Sequence, residues 1–203
     1  FISLASSTIR LVAICLASPP DHLIYKAIEI GGDYAHEMSV ASRLVIANMM
    51  CETGAKCGIL PPDQVVADYL EEKLCSLASD PDAGYADRYE VDLDALEPVL
   101  ACPHAVQNVK NVTEVEGVKI QQAFLGSCTN GRIEDFLQAA EILRGQKIHP
   151  NVRMIVVPGS QTIYLEMARM GLLEMFTECG AAVLSPGCAS CGGFGPGTIG
   201  NDA

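Results

Sequence analysis

The 203-residue sequence has no tryptophan, four histidines and only 13 basic side chains against 25 acidic ones, a formal charge of -12 at pH 7. Such a chain repels phosphate backbones, and no stripe of Lys and Arg offsets the repulsion, so a nucleic-acid partner is not expected. Long hydrophobic runs are lacking as well. The one apolar N-terminal stretch, residues 11–17, follows Arg10 and meets Pro19-Pro20, which leaves it too short to cross a bilayer. The start Phe1-Ile2-Ser3-Leu4 has no basic head, so a secretory signal and a membrane partner are not expected either. With 49% apolar and 19% charged residues the chain should fold, as one sizeable core or two small ones. Nine cysteines are an odd number in a chain too long to need stapling, which points to a reducing compartment and a cytoplasmic location.

Regular structure is legible in places. Residues 38–58 carry apolar side chains at helical spacings behind Ser39, with Gly54 and Gly58 near the end, and this predicts a buried helix on which Asn48 and Glu52 share a face. After Pro61-Pro62-Asp63, residues 64–78 read as an amphipathic helix with Glu71 and Glu72 outward, 79–88 as a polar loop, 89–93 as a strand and 109–117 as a connection. Beyond these the pattern sharpens. Residues 118–126 read as a strand, 132–144 as a helix with Ile133, Phe136, Leu137, Ala140 and Leu143 inward, and 152–157 as an apolar strand. Ser160 opens a helix that resumes after Gly171, and 181–184 forms a third strand. A βαβαβ order with strands this apolar predicts an α/β fold with a mostly parallel sheet covered on both faces, in three α/β/α layers.

Three cysteines occupy matching places in that layout. Cys128 follows the first strand in Gly126-Ser127-Cys128-Thr129-Asn130-Gly131, and Cys188 and Cys191 follow the third in Pro186-Gly187-Cys188-Ala189-Ser190-Cys191-Gly192-Gly193. Ligands of open α/β sheets bind outside the carboxyl ends of the strands, so the three thiols are expected to face one crevice. Structural zinc wants four protein ligands, and catalytic zinc prefers His or carboxylate among its three. A four-iron cluster takes four cysteines, so three would leave one iron open to substrate as a Lewis acid. The alternative is a non-enzymatic zinc or dithiol redox module made of Cys188 and Cys191, with Cys128 an ordinary thiol.

Four stretches in order carry a resemblance: Ser42-Arg-Leu-Val-Ile-Ala-Asn48-Met-Met-Cys-Glu52-Thr-Gly-Ala55, Phe124-Leu-Gly-Ser-Cys128-Thr-Asn-Gly-Arg-Ile-Glu-Asp-Phe136, Val157-Pro-Gly-Ser160 and Pro186-Gly-Cys188-Ala-Ser-Cys191-Gly. Residues 25–203 resemble the aconitase superfamily, and within it the large subunits of 3-isopropylmalate dehydratase, homoaconitase and 2,3-dimethylmalate dehydratase. The resemblance implies a [4Fe–4S] hydro-lyase of leucine or related amino-acid biosynthesis, with Cys128, Cys188 and Cys191 as cluster ligands and metal contacts. It implies that Asn48 hydrogen-bonds a cluster cysteine or the iron-bound oxygen, and that Glu52 holds or protonates the departing hydroxyl. The reaction implied is reversible dehydration and isomerisation of a small anionic hydroxy-dicarboxylate or tricarboxylate such as isopropylmalate. Its base is a serine in a Gly-Ser-Ser-Arg-like loop, absent here and carried in these dehydratases by a small subunit, so activity is expected to need that partner in a heterodimer.

The sequence also departs from the pattern. It begins without Met, lacks the family's N-terminal His- and Asp-bearing motifs, and stops before its Asn-Arg-Asn-Phe segment, so it is expected to be an internal fragment inactive by itself. The expected division is an unassigned segment 1–24, a partial α/β domain 25–110 carrying the Asn48 helix, and a βαβαβ cluster-binding domain 111–203. Asp21-His22 lies too close to Asn48 to match the family's Asp-His pair. Arg132 is expected to touch substrate or cap nearby carbonyls, and Ser160 to cap a helix or bind an anion in its turn. Cys51 and Cys57 are expected to pack in the core, while Cys15, Cys75, Cys102, Cys179, His36, His104 and His149 have no motif partners.

Overall fold

A computed structural model describes residues 22–73, 78–92, 94, 97–103 and 108–199. Cys15, Cys75, His104 and the apolar run 11–17 lie outside the described residues. The chain divides into two compact units, the first ending at Glu114 and the second beginning at Val115.

In the first unit, β1 (Ala27–Glu29) pairs in parallel with β2 (Cys57–Ile59). Between them come α1 (Asp33–Glu37) and α2 (Val40–Met49), the latter capped by Ser39, whose Oγ accepts from the Ser42 amide at 3.2 Å. The helix expected over 38–58 is shorter. It tightens into a 3-10 turn at Met50–Thr53 and closes on Gly54, and Gly58 lies in a strand so close under Met50 that a Cβ there would come within 2.6 Å of Met50 Cγ. α3 (Gln64–Leu70) is capped by Asp63 and stopped by Glu71, which turns left-handed at φ 55. Residues 89–92 form no strand. Instead the exposed segment 79–89 bonds back through side chains: Ser79 and Tyr85 hydroxyls donate to Glu29 at 2.6 and 2.5 Å, and Lys26 pairs with Asp87 at 2.6 Å. The stretch expected as a connection holds β4 (Val109–Asn111), antiparallel to β3 (Val99–Ala101). The core of this unit is small, built on Leu23, Met38, Ile46, Met50 and Ala55.

The second unit is the expected βαβαβ. β5 (Gln122–Gly126), β6 (Arg153–Val157) and β7 (Ala182–Val183) lie parallel in that order. A short turn α4 (Ser127–Asn130) and α5 (Ile133–Leu143) follow β5, and α6 (Gln161–Arg169) and α7 (Leu172–Cys179) link β6 to β7. Parallel strands added in one direction put right-handed crossovers on one side of a sheet. Accordingly all three long helices share a single core with Met154 and Val156, alternate residues of β6, while Ile155 points to the other face and is covered near Gly197. Phe136 and Phe176, both fully buried, meet edge to face with ring centroids 6.1 Å apart. Leu137, expected inward, is exposed, and Ala139 takes the core position one turn before Leu143. Residues 118–121 do not join β5; Val118 and Ile120 are exposed there.

Candidate functional site

The loop that presents Cys128 is built by close backbone packing. Gly126 has φ 118, and a Cβ on it would stand 2.0 Å from the Val157 carbonyl oxygen. A Cβ on Gly131 would stand 2.2 Å from the Ser127 oxygen, and the Gly131 carbonyl accepts from the Gly159 amide at 2.9 Å. Thus the loops leaving β5 and β6 touch main chain to main chain, and only glycine fits at the contacts. Between them Ser127 is buried and left-handed at φ 67, which sets exposed Cys128 on the first turn beyond the strand. Asp135 secures the far side of this loop, accepting from the Arg132 amide at 2.9 Å and from Asn130 Nδ2 at 3.2 Å. Burial pushes the Asp135 carboxyl above its usual range against the pull of those donors. This residue was not singled out in the sequence, and an arginine three residues before it gives no capping signal there.

Cys188 and Cys191 lie beyond β7, at the ends of a tight turn in which the Cys191 amide donates to the Cys188 carbonyl at 3.1 Å. Ala189, between them, is left-handed at φ 45. Only four non-glycine residues among those described have positive φ, and two of them, Ser127 and Ala189, adjoin candidate cysteines. Each such residue costs about 1–3 kcal/mol and is held where the surroundings demand it. Beyond the turn the tail returns over the sheet, where Gln122 Nε2 donates to the Gly197 carbonyl at 2.8 Å.

All three thiols belong to the second unit and all three are exposed. Among the described residues no three His, Cys, Asp or Glu side chains form a group that could hold a single metal ion. Two other observations bear on whether these loops fit an iron–sulfur group. The donor set is three soft thiols on glycine-rich loops with exposed sulfur, the ligand chemistry such clusters use. The described residues also include two buried side-chain polar atoms without partners, Arg132 Nε and Ser190 Oγ, and both lie in the cysteine loops. On chemistry and on these orphaned atoms the loops fit.

Asn48 and Glu52 belong to the first unit. Asn48 is half-buried on the last turn of α2, and its carbonyl accepts from Cys51 Sγ at 2.9 Å. Glu52 is exposed and sits in the 3-10 turn, whose three residues per turn carry it farther round the axis than the expected continuous helix would. The Lys56 ammonium, four residues on, stands over the Tyr25 ring, 4.1 Å from the centroid. What fixes the start of α2 is a buried ion pair the sequence reading missed. Arg43 donates to both Asp63 oxygens at 2.8 and 2.9 Å and to the carbonyls of His36, Met38 and Pro61. Hydrogen bonding from Arg43, chiefly, holds the Asp63 carboxyl far below the usual carboxylate range, and His36 Nδ1 adds a contact at 3.0 Å.

The remaining candidates resolve by their contacts. Arg132 Nη2 donates to the Cys128 carbonyl at 3.3 Å, a capping contact, and Ser160 Oγ caps α6 through the Ile163 amide at 3.2 Å. Cys51 and Cys57 are exposed rather than packed in the core, because the helix expected to bury them ends before them. Cys179 is the one buried thiol among the described residues, donating to the Leu143 carbonyl at 3.1 Å. His22 meets the Tyr89 hydroxyl at 3.2 Å, and His149 Nδ1 accepts from the Asn151 amide.

Comparison with known proteins decides the family. The profile of the aconitase family (aconitate hydratase) matches residues 13–116 and 105–202, which together span most of the chain. The chain belongs to the aconitase family. Its relatives in that family include a probable 3-isopropylmalate dehydratase large subunit of Methanothermobacter thermautotrophicus, 45% identical over 89% of this chain and 44% of the relative. The 3-isopropylmalate dehydratase large subunit 1 of Thermotoga maritima is 43% identical over 89% of this chain and 45% of its own length. A probable methanogen homoaconitase large subunit of Methanosarcina mazei is 42% identical over 87% and 46%. The chain therefore spans less than half the length of these curated relatives. A zinc or dithiol pair at Cys188 and Cys191 accounts for neither the family match nor the motif around Cys128.

Proposed function

We propose that this chain is the cluster-bearing part of a [4Fe–4S] hydro-lyase large subunit of the 3-isopropylmalate dehydratase and homoaconitase type. The observation that carries the reading is the placement of the family's cysteine motifs directly beyond the carboxyl ends of β5 and β7 of one parallel sheet. Cys128, Cys188 and Cys191 would hold the group. When bound, a cluster with three protein thiolates supplies one iron as a Lewis acid for a hydroxyl and a carboxylate.

The chain's own residues then have separate tasks. Asn48 and Glu52 carry the polar groups of the family's Asn-Met-x-x-Glu motif, an amide that donates to a hydroxyl oxygen and a carboxyl that gives its proton to a departing hydroxyl so that it leaves as water. The proton of the neighbouring carbon goes to a base, a serine of a small subunit, so the pair of chains completes the dehydration and its reversal. The roles of Asn48 and Glu52 rest on the family motif. The substrate is a small hydroxy-dicarboxylate or tricarboxylate, isopropylmalate first among them, in keeping with relatives named as large subunits of 3-isopropylmalate dehydratase and homoaconitase.

The test is an assay of the full-length chain, loaded anaerobically and combined with its small subunit, on isopropylmalate, homocitrate and dimethylmalate. Turnover of one of them, reduced at least about 100-fold in Glu52→Gln as expected for loss of general acid catalysis, supports the reading. No turnover of any, with the small subunit bound and the cluster intact, contradicts it.

A further inference from the structure

Two orphaned polar atoms in matching loops call for an acceptor. A buried donor without a partner costs about 1–3 kcal/mol, and folded proteins keep few of them. Ser190 had a cheaper choice, since the thiols on either side of it are exposed to water. Its Oγ is buried instead, beside Gly197, where a Cβ would come within 3.1 Å of it. The tail that covers it is tied to β5 through Gln122, and the turn that places it strains Ala189 at φ 45. In the Cys128 loop Arg132 spends Nη2 on the Cys128 carbonyl and leaves Nε unspent. A strained residue, Ala189, and an unmet donor, Ser190, are thus neighbours between the two cysteines, and no protein oxygen or nitrogen satisfies the Ser190 hydroxyl.

We propose that Ser190 is a positioning residue for the iron–sulfur group, its hydroxyl donating to an anionic sulfur, either of the group or of the thiolates of Cys188 and Cys191. The inference rests on the iron–sulfur reading given above and adds to it a residue that reading does not need. A hydroxyl is a good donor to thiolate and sulfide, and hydrogen bonds to sulfur raise a cluster's reduction potential by stabilising the more negative, reduced state. The donor is idle without the sulfur it serves, so its worth should change sign between the empty and the loaded protein.

The experiment compares the full-length wild type with Ser190→Ala and Ser190→Gly, each reconstituted anaerobically with ferrous iron and sulfide. It reads the cluster's reduction potential, the rate of bleaching by a chelator, and the thermal midpoint of the empty protein. Both variants should load, show a more negative potential than wild type and bleach several-fold faster, while the midpoint of the empty protein stays the same or rises. Loaded variants with unchanged potential and bleaching would overturn the inference and leave the iron–sulfur reading standing. A lower midpoint in the empty variants would also overturn it, because the hydroxyl would then have a partner, such as a buried water, independent of any cluster. A wild type that takes up no iron and sulfide would remove both readings together.

Discussion

Residues 22–114 bury a guanidinium against a half-buried carboxylate, whereas residues 115–199 bury two phenylalanines. In the first unit Arg43, 4% exposed, gathers three carbonyls and Asp63, and so joins the ends of α1, the start of α2 and the cap of α3 in one polar knot. Its apolar core is modest, and its outer segment 79–89 is attached by exposed side-chain bonds. The second unit has a continuous core shared by three helices and three strands, and places its strained residues at the rim beside the cysteines. The difference teaches that the motif of Asn48 is fixed electrostatically and that of the cysteines by packing beneath them. Each unit should therefore fail under different treatments.

The largest expected effect is in the second unit. Phe176→Ala empties the edge-to-face contact with Phe136 and should cost about 3–5 kcal/mol, with little dependence on salt or pH. Denaturant unfolding followed by hydrogen exchange in residues 133–183 measures it. In the first unit Asp63→Ala leaves Arg43 buried without its partner and removes the cap of α3. We expect a loss of about 3 kcal/mol, the low end for breaking a buried pair because Asp63 is 20% exposed, read by exchange in residues 33–70. A mutant as stable as wild type would break the electrostatic account of this unit. Ser160→Ala, which removes one cap from α6, should cost about 1 kcal/mol.

The smallest effect is in pH dependence, and it has opposite signs in the two units. The Asp63 carboxyl is depressed, so its stabilising contribution is present above its ordinary value of 3.8 and is lost as pH falls through the lower folded value. The Asp135 carboxyl is raised, so its contribution falls as pH climbs from 3.8 through the higher folded value. Titrating stability between pH 3 and 6 in wild type, Asp63→Ala and Asp135→Asn should therefore remove an acid-side loss in one variant and a neutral-side loss in the other, a window set by the roughly 4-unit reference carboxyl. Slopes of the same sign would sink the comparison.

Much of this was legible in the sequence where local pattern decides the outcome. The alternation of apolar strands and helices beyond residue 120, the caps at Ser39 and Ser160, the break at Gly171 and the position of Cys128 two residues past a strand all follow from spacing and turn chemistry. Where distant contacts decide, the pattern misled. Cys57–Ile59 is a strand only because β1 lies beside it, and the helix before it stops because Gly58 admits Met50. Nothing local marks Arg43, since its partner Asp63 is twenty residues away behind two prolines. Ser190 carries no signal in a single sequence; its burial beside Gly197 depends on the return of the tail.

The central claim is that Cys128, Cys188 and Cys191 hold one iron–sulfur group. Its most direct test is iron and acid-labile sulfide analysis of the anaerobically reconstituted protein beside Cys128→Ser. The account predicts about four irons and four sulfides per chain with broad visible absorbance, and loss of both in the variant. A colourless wild type that holds stoichiometric zinc instead, or a variant that loads as fully as wild type, would contradict it.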